Sequence, residues 1–126
     1  MRPYPPERRL SPHLAQHVHD LCTRENIDIE WCHRPSQAGP YVANCEIHIA
    51  PIRSVVSYAA ALHAIGYVKG FLLRVSPRCI VCERWAWDWA RRNAIIWTPR
   101  MERHAEASLA WFEAKAAWAV FLDASP

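Results

Sequence analysis

Four side chains in the middle of the chain are of types that bind metal ions or transfer protons. They are the imidazole of His63, the carboxylate of Glu83 and the thiols of Cys79 and Cys82. Structural zinc takes four such ligands, and catalytic zinc takes three and a water. A lone C-x-x-C is a weak zinc signal, and buried cysteines mostly act as small hydrophobic side chains. We expect a hydrogen-bonded pair of His63 and Glu83 with no metal or other cofactor, and a zinc site built from these four residues is the alternative.

The residues that begin at His63 form a broken zinc-peptidase motif. The active-site helix of such a peptidase carries H-E-x-x-H, in which two imidazoles one turn apart bind zinc and the glutamate activates water. Residues 63–67 read HAIGY. An extended segment precedes this helix, and Glu83 lies on the next one. On these features residues 42–99 resemble the small gluzincin-type peptidase domains of phages and mobile elements, the ImmA/IrrE-like metallopeptidases.

The resemblance assigns a role to four positions. His63 takes the place of the first zinc ligand, Ala64 of the general base, Tyr67 of the second ligand and Glu83 of the third. The lost base is worth about 10² to 10⁴ in rate, and a tyrosine with its ordinary pKa near 10 is a poor ligand at neutral pH. We expect Tyr67 to fill the volume of the absent imidazole and to hydrogen-bond Glu83.

The resemblance thus implies a zincin-like core that has lost its reaction, with no catalytic residue at these vestigial positions. Two alternatives remain open. One is a metal-dependent endopeptidase with a rebuilt site, and the other is an active parent silenced by substitution at Ala64 and Tyr67.

The composition indicates one globular cytoplasmic domain. The chain has 126 residues, of which 52% are hydrophobic and seven are tryptophan, enough to bury a core. No apolar run is expected to be long enough to cross a bilayer, and the charged, proline-rich N-terminus lacks the apolar core of a signal peptide. We expect a flexible arm at residues 1–10, a single domain at residues 11–126, and five cysteines that remain free thiols in a reducing compartment.

Hydroxyl side chains mark the predicted helix starts. Ser11-Pro12, Ser76-Pro77 and Thr98-Pro99 each place a capping hydroxyl before a proline, which suits the first helical position. Ser54 is a further cap, and Gly70 is interpreted as a helix stop. The four predicted helices are Pro12–Arg24, Ser54–Val68, Pro77–Asn93 and Pro99–Leu122, the last with a core-facing band from Met101 to Val120.

Two segments between the first and second helices have the composition of strands. They are Ile27–Cys32 and Val42–Ile49, and the second alternates apolar and polar residues. The connection between them contains the seven-residue stretch RPSQAGP, with two prolines and a glycine, so the simplest interpretation is an antiparallel pair. The predicted fold class is therefore α+β, with a small antiparallel sheet and about four helices.

Binding of another macromolecule is the predicted activity. Arg84, Trp87 and Arg91 share one side of the third helix by their spacing, and Trp and Arg are enriched in binding hot spots. The strand edge at Glu46 and His48 is the second candidate surface, since a working gluzincin would hold its substrate there by strand addition.

The setting implied by the resemblance is a phage or mobile element. It suggests an inhibitor of a host defence factor, such as an anti-CRISPR protein. The expected partner is a host protein or a protein–nucleic-acid complex, and a formal net charge of +3 makes direct nucleic-acid binding a weaker prediction.

Overall fold

The structure is a computed structural model that describes residues 7–34 and 37–124. It has the predicted α+β class, with four helices and one small sheet. In chain order the elements are α1 (Glu7–Glu25), β1 (Asp28–Trp31), β2 (Gly39–Tyr41), β3 (Glu46–Ile49), α2 (Val55–Leu72), α3 (Cys79–Asn93) and α4 (Pro99–Ala124).

The sheet has three strands in the order β1-β3-β2. Strand β3 lies in the middle, parallel to β1 and antiparallel to β2. The predicted antiparallel pair is therefore wrong, because β1 and β3 run in the same direction. Residues Val42–Asn44 form a 3-10 turn, and Cys45 has a left-handed φ of 55°, which redirects the chain into β3. Strand β2 lies at the end of the predicted connection, where Gly39 and Pro40 are typical of a loop and not of a strand.

Helix α1 begins at Glu7, so the predicted start at Pro12 is wrong. A proline inside a helix leaves the carbonyl four residues earlier without its amide donor. That carbonyl belongs to Arg8, and the hydroxyl of Ser11 donates to it over 3.2 Å. The Ser11-Pro12 pair therefore lies inside the helix, with the serine hydroxyl replacing the amide that proline lacks. Of the predicted flexible arm, residues 7–10 are helical and residues 1–6 lie outside the described residues.

Helix α2 is the centre of the domain and contacts every other helix and the sheet. Ser54 caps it as predicted, and the side chains of Ser54 and Ser57 each accept the other residue's amide. The helix runs on to Leu72, so the predicted end at Val68 is wrong. It ends where Arg74 adopts a left-handed φ of 53°.

The two glycines of α2 allow α3 to approach closely. A Cβ at Gly66 would lie 2.8 Å from the carbonyl oxygen of Ala86, and one at Gly70 would lie 2.9 Å from the ring of Trp85. Both distances are too short for a real side-chain atom. The glycine at position 70 is therefore required for close packing against Trp85, and it does not mark the end of the helix.

Helix α2 also corrects the expectation about apolar runs. Its 18 residues have a mean hydropathy of 1.3, which is long and apolar enough to cross a membrane by length and composition. However, 56% of the helix is buried inside the domain. That degree of burial is the pattern of a core helix, which is apolar because neighbouring elements surround it.

The starts of the last two helices agree with the sequence to within two residues. Thr98 caps α4 as predicted, since its hydroxyl oxygen accepts from the amide of Met101 at 3.2 Å. Helix α3 begins at Cys79, after a turn in which the hydroxyl of Ser76 accepts the Arg78 amide. The predicted core band of α4, which ran to Val120, is wrong at that residue, because Val120 is largely exposed.

Candidate functional site

Helices α2 and α3 bring His63 and Glu83 into direct contact, which confirms the predicted hydrogen bond. Nε2 of His63 lies 2.6 Å from Oε2 of Glu83. The side chains are 16% and 7% exposed, so both groups are largely removed from water. A buried carboxylate is costly unless it has a partner. The close approach of α3 at Gly66, one turn after His63, positions that partner.

Aromatic rings from α3 and α4 cover the imidazole of His63. The indole of Trp87 stacks on it with 4.4 Å between ring centroids, and His104 packs edge-on against the same indole at 5.8 Å. Burial, and then the nearby His63, lower the pKa of His104 and favour its neutral form. Sequence reasoning missed His104 because only the docking of α4 brings it near the broken motif.

Tyr67 lies beside this pair, with 6.2 Å between its ring centroid and that of His63. Burial raises the pKa of Tyr67 to about 12, with further contributions from Cys79, Cys82 and Glu83. The side chain therefore remains a neutral phenol at physiological pH. The bond predicted from Tyr67 to Glu83 is not formed within the described residues.

The two thiols line a different cavity from the imidazole. Cys79 is exposed and Cys82 is buried, with the Cys82 thiol donating to the carbonyl of Ser76 over 3.1 Å. Together with Tyr67 they line a cavity of about 410 Å³. His63 and Glu83 line a different cleft. The four residues of the alternative zinc site are thus divided between two cavities.

The cleft that contains His63 and Glu83 has a volume of about 390 Å³ and is mostly apolar. Strand β2 and the end of β3 form one wall, α2 forms the floor, and Phe112 of α4 reaches in from the side. The floor is made of alanines, including Ala64 where the general base of a peptidase would stand. The lining residues are Ala38, Gly39, Pro40, His48, Ile49, Ala50, Ser57, Ala60, Ala61, His63, Ala64, Glu83 and Phe112.

The predicted partner surface on α3 is wrong for Trp87, which is only 1% exposed. Arg84, Trp87 and Arg91 do share one side of the helix, but that side faces α4. Arg84 pairs with Glu113 at 3.2 Å, and Arg91 holds both carboxylate oxygens of Glu102 at 2.6 and 3.0 Å. The bond from Arg91 lowers the pKa of Glu102. This stripe joins α3 to α4.

The predicted strand edge at Glu46 and His48 is also wrong, because β3 is the central strand. Glu46 is paired with Asp28 on one side and with Tyr41 on the other. The edge beside the cleft is β2. The ring of His48 packs against Tyr41 with 3.7 Å between centroids. Its buried Nε2 has no hydrogen-bond partner among the described residues.

The donors present do not fit a zinc ion of the kind that the resemblance implies. Catalytic zinc needs three protein ligands and an open position for water. In residues 7–34 and 37–124 no group of three or more His, Cys, Asp or Glu side chains is placed to hold a metal ion. The two donors that meet in the cleft are bonded to each other.

Comparisons with protein-family models, with curated proteins and with solved structures gave no significant match. The resemblance to gluzincin-type peptidases therefore rests on residues 63–67, on Glu83 and on the order of the elements.

Proposed function

We propose that this chain is a catalytically silent, zincin-like domain that acts in the cytoplasm by binding a segment of another protein. The observation that carries the proposal is the direct bond between His63 and Glu83 over 2.6 Å. This bond gives the side chains of His63 and Glu83, the two remaining ligand positions, a partner within the same chain. Ala64 supplies no base, and the raised pKa of Tyr67 keeps that side chain from acting as an anionic ligand.

The cleft supports an extended peptide as the bound group. Strand β2 is hydrogen-bonded to β3 on one side, so its outer edge can pair with an added strand. The alanine floor next to that edge favours an apolar side chain of the peptide, and a volume of about 390 Å³ leaves room for a large one.

A substitution at the mouth of the cleft tests this proposal. Ala60 is an exposed residue of the lining, so Ala60→Glu places a charge in the cleft without disturbing the core. Peptides selected from a displayed random library should be rich in bulky apolar residues. Ala60→Glu should weaken their binding at least tenfold, about 1.4 kcal/mol. Ala107→Glu, an equal change at an exposed site outside the cleft lining, is the matched control.

The catalytic silence has its own test. The dialysed protein should contain no stoichiometric zinc and should not cleave the selected peptides when zinc is supplied. The double variant Ala64→Glu with Tyr67→His restores the base and the second ligand, so that three protein ligands are present. It should take up about one zinc and gain about 2.7 kcal/mol of stability at 100 times the dissociation constant. One zinc per wild-type chain together with peptide cleavage would establish the peptidase alternative.

The biological setting proposed from the resemblance is inhibition of a host defence factor, as by an anti-CRISPR protein. Expression of the chain in bacteria that carry a CRISPR or other antiphage system should raise the plating efficiency of a targeted phage. Ala60→Glu should abolish that protection, and Ala107→Glu should leave it. Equal protection by both variants would separate the defence function from the cleft.

A further inference from the structure

The last three turns of α4 carry large hydrophobic side chains on their surface. We call residues 114–123 the α4 end. Trp118, Val120, Phe121 and Leu122 each expose more than half of their surface, and Trp118 stacks on Phe121 with 5.3 Å between ring centroids. Together with Trp111 they expose an area on the order of 600 Å², of which Trp111, Trp118 and Leu122 form one side of the helix and Val120 lies opposite.

The packed half of α4 fixes where this segment lies. Met101 and Ala105 are buried, and Glu102 is clamped by Arg91. The first turn of α3 then shares a groove with the start of the α4 end, lined in part by Ile80 and Ala116. Beyond that point the helix continues past the beginning of α3. A helix that is apolar on all sides normally lies inside a larger assembly.

The charged side chains and the large and small apolar side chains of the α4 end are complementary to those of a second α4 end that runs antiparallel to it. If two copies cross antiparallel at Ala119, Lys115 of one lies level with Asp123 of the other, and the pair occurs twice by symmetry. Leu122 then lies level with the small Ala116 of the other copy, beside the groove of about 240 Å³. A parallel pair in register would instead bring equal charges together.

We propose that the α4 end binds the α4 end of a second copy of this chain, as an antiparallel, two-fold helix pair. Trp111, Trp118 and Leu122 share one side of the helix with Lys115, and their exposed area, on the order of 400 Å² from each copy, corresponds to the small interface of a weak dimer. The pairing goes beyond the proposed function, because Lys115, Trp118, Ala119 and Asp123 do not line the cleft. It would give one assembly two clefts, and so raise its avidity for a partner with two binding segments.

Sedimentation of the full chain with exchanged charges tests the pairing. Between about 1 and about 100 μM the wild type should pass from monomer to dimer, with no larger species. Lys115→Asp alone, or Asp123→Lys alone, creates two repulsive contacts and should weaken the dimer about tenfold or more. The double variant restores both ion pairs in reversed form and should recover the dimer. Trp118→Glu should remain monomeric.

Glu106→Lys is the control, because it makes the same change of charge at an exposed position on the packed half of α4. It should leave the dimer unchanged. The proposal is overturned if the wild type stays monomeric at the highest concentration, or if the double variant is no better than the single ones. It is also overturned if the wild type is monomeric and cosediments with phosphatidylcholine–phosphatidylglycerol vesicles, which would assign the α4 end to a membrane surface.

Discussion

The cleft around His63 and the α4 end differ in how their unusual side chains are satisfied. Beside the cleft, the imidazole of His63, the carboxylate of Glu83 and the indole of Trp87 are each 16% exposed or less, and His63 and Glu83 are bonded to each other. At the α4 end, Trp118 and its apolar neighbours are more than half exposed. The first region is complete within one chain, and the second has the composition of an interface. Side-chain type alone therefore does not separate a core from a binding surface in this protein.

The sharpest test of this contrast makes the same substitution in both regions. Trp87→Ala removes a side chain that is 1% exposed and should cost about 3–5 kcal/mol of unfolding free energy. Trp118→Ala removes one that is 59% exposed and should change the stability of the monomer by less than about 0.5 kcal/mol. Urea unfolding at a concentration where the chain is monomeric measures both.

Trp87→Phe keeps the experiment informative if Trp87→Ala does not fold. The indole N–H of Trp87 has no acceptor among the described residues, so phenylalanine loses volume but no hydrogen bond. Its cost should lie well below that of alanine. Equal costs for Trp87→Ala and Trp118→Ala would remove the distinction between the two regions.

Removal of one member of the buried pair is expected to have the next largest effect. His63→Ala leaves the carboxylate of Glu83 buried without its partner, which should cost about 3 kcal/mol or more. Glu83→Gln retains a polar contact to the imidazole and should cost less. Peptide binding in the cleft should survive both changes. If His63→Ala abolishes binding in a folded protein, the pair itself takes part in recognition.

Local sequence patterns predict the structure correctly where contacts between residues close in the chain decide it. The caps at Ser54 and Thr98 depend on a hydroxyl and an amide three residues apart, and both form. The meeting of His63 with Glu83 was predicted from the resemblance, which supplies the packing of two helices that no local pattern contains.

Apart from the start of α1, the wrong predictions share one cause: a local pattern is compatible with two arrangements, and tertiary contacts decide which one forms. The side of α3 that carries Trp87 is defined by its spacing, but only the docking of α4 determines that this side is inward. Strand β3 likewise alternates as a half-buried strand, yet its central place depends on a short partner at Gly39–Tyr41. Gly70 resembles a helix stop until the ring of Trp85 is placed against it.

A smaller effect is expected from the contact that brings the two cleft helices together. Gly66→Ala introduces a methyl group 2.8 Å from the carbonyl oxygen of Ala86, and the backbone there cannot move without shifting α3. Overpacking of this kind should cost about 1–3 kcal/mol. Gly70→Ala meets the edge of the Trp85 ring, a side chain that can turn, and should cost less. Thermal unfolding of the two variants orders them, and the opposite order would contradict the close approach at Gly66.

The smallest expected effect concerns pH and tests whether α4 seals the cleft. Burial and the nearby His63 lower the pKa of His104 below its ordinary value near 6.5. The unfolded chain therefore binds a proton at His104 more readily than the folded chain does. The stability associated with neutral His104 is complete above pH 6.5 and falls as the pH drops below that value. His104→Gln should flatten this part of the stability–pH profile.

His17, whose pKa is also lowered chiefly by burial, contributes in the same direction, so His17→Gln should flatten it further. His13→Gln changes an exposed imidazole of α1 and is the matched control. Urea unfolding between pH 5 and 8 makes the comparison, and a His104→Gln profile as steep as that of the wild type would mean that α4 leaves this imidazole open to water.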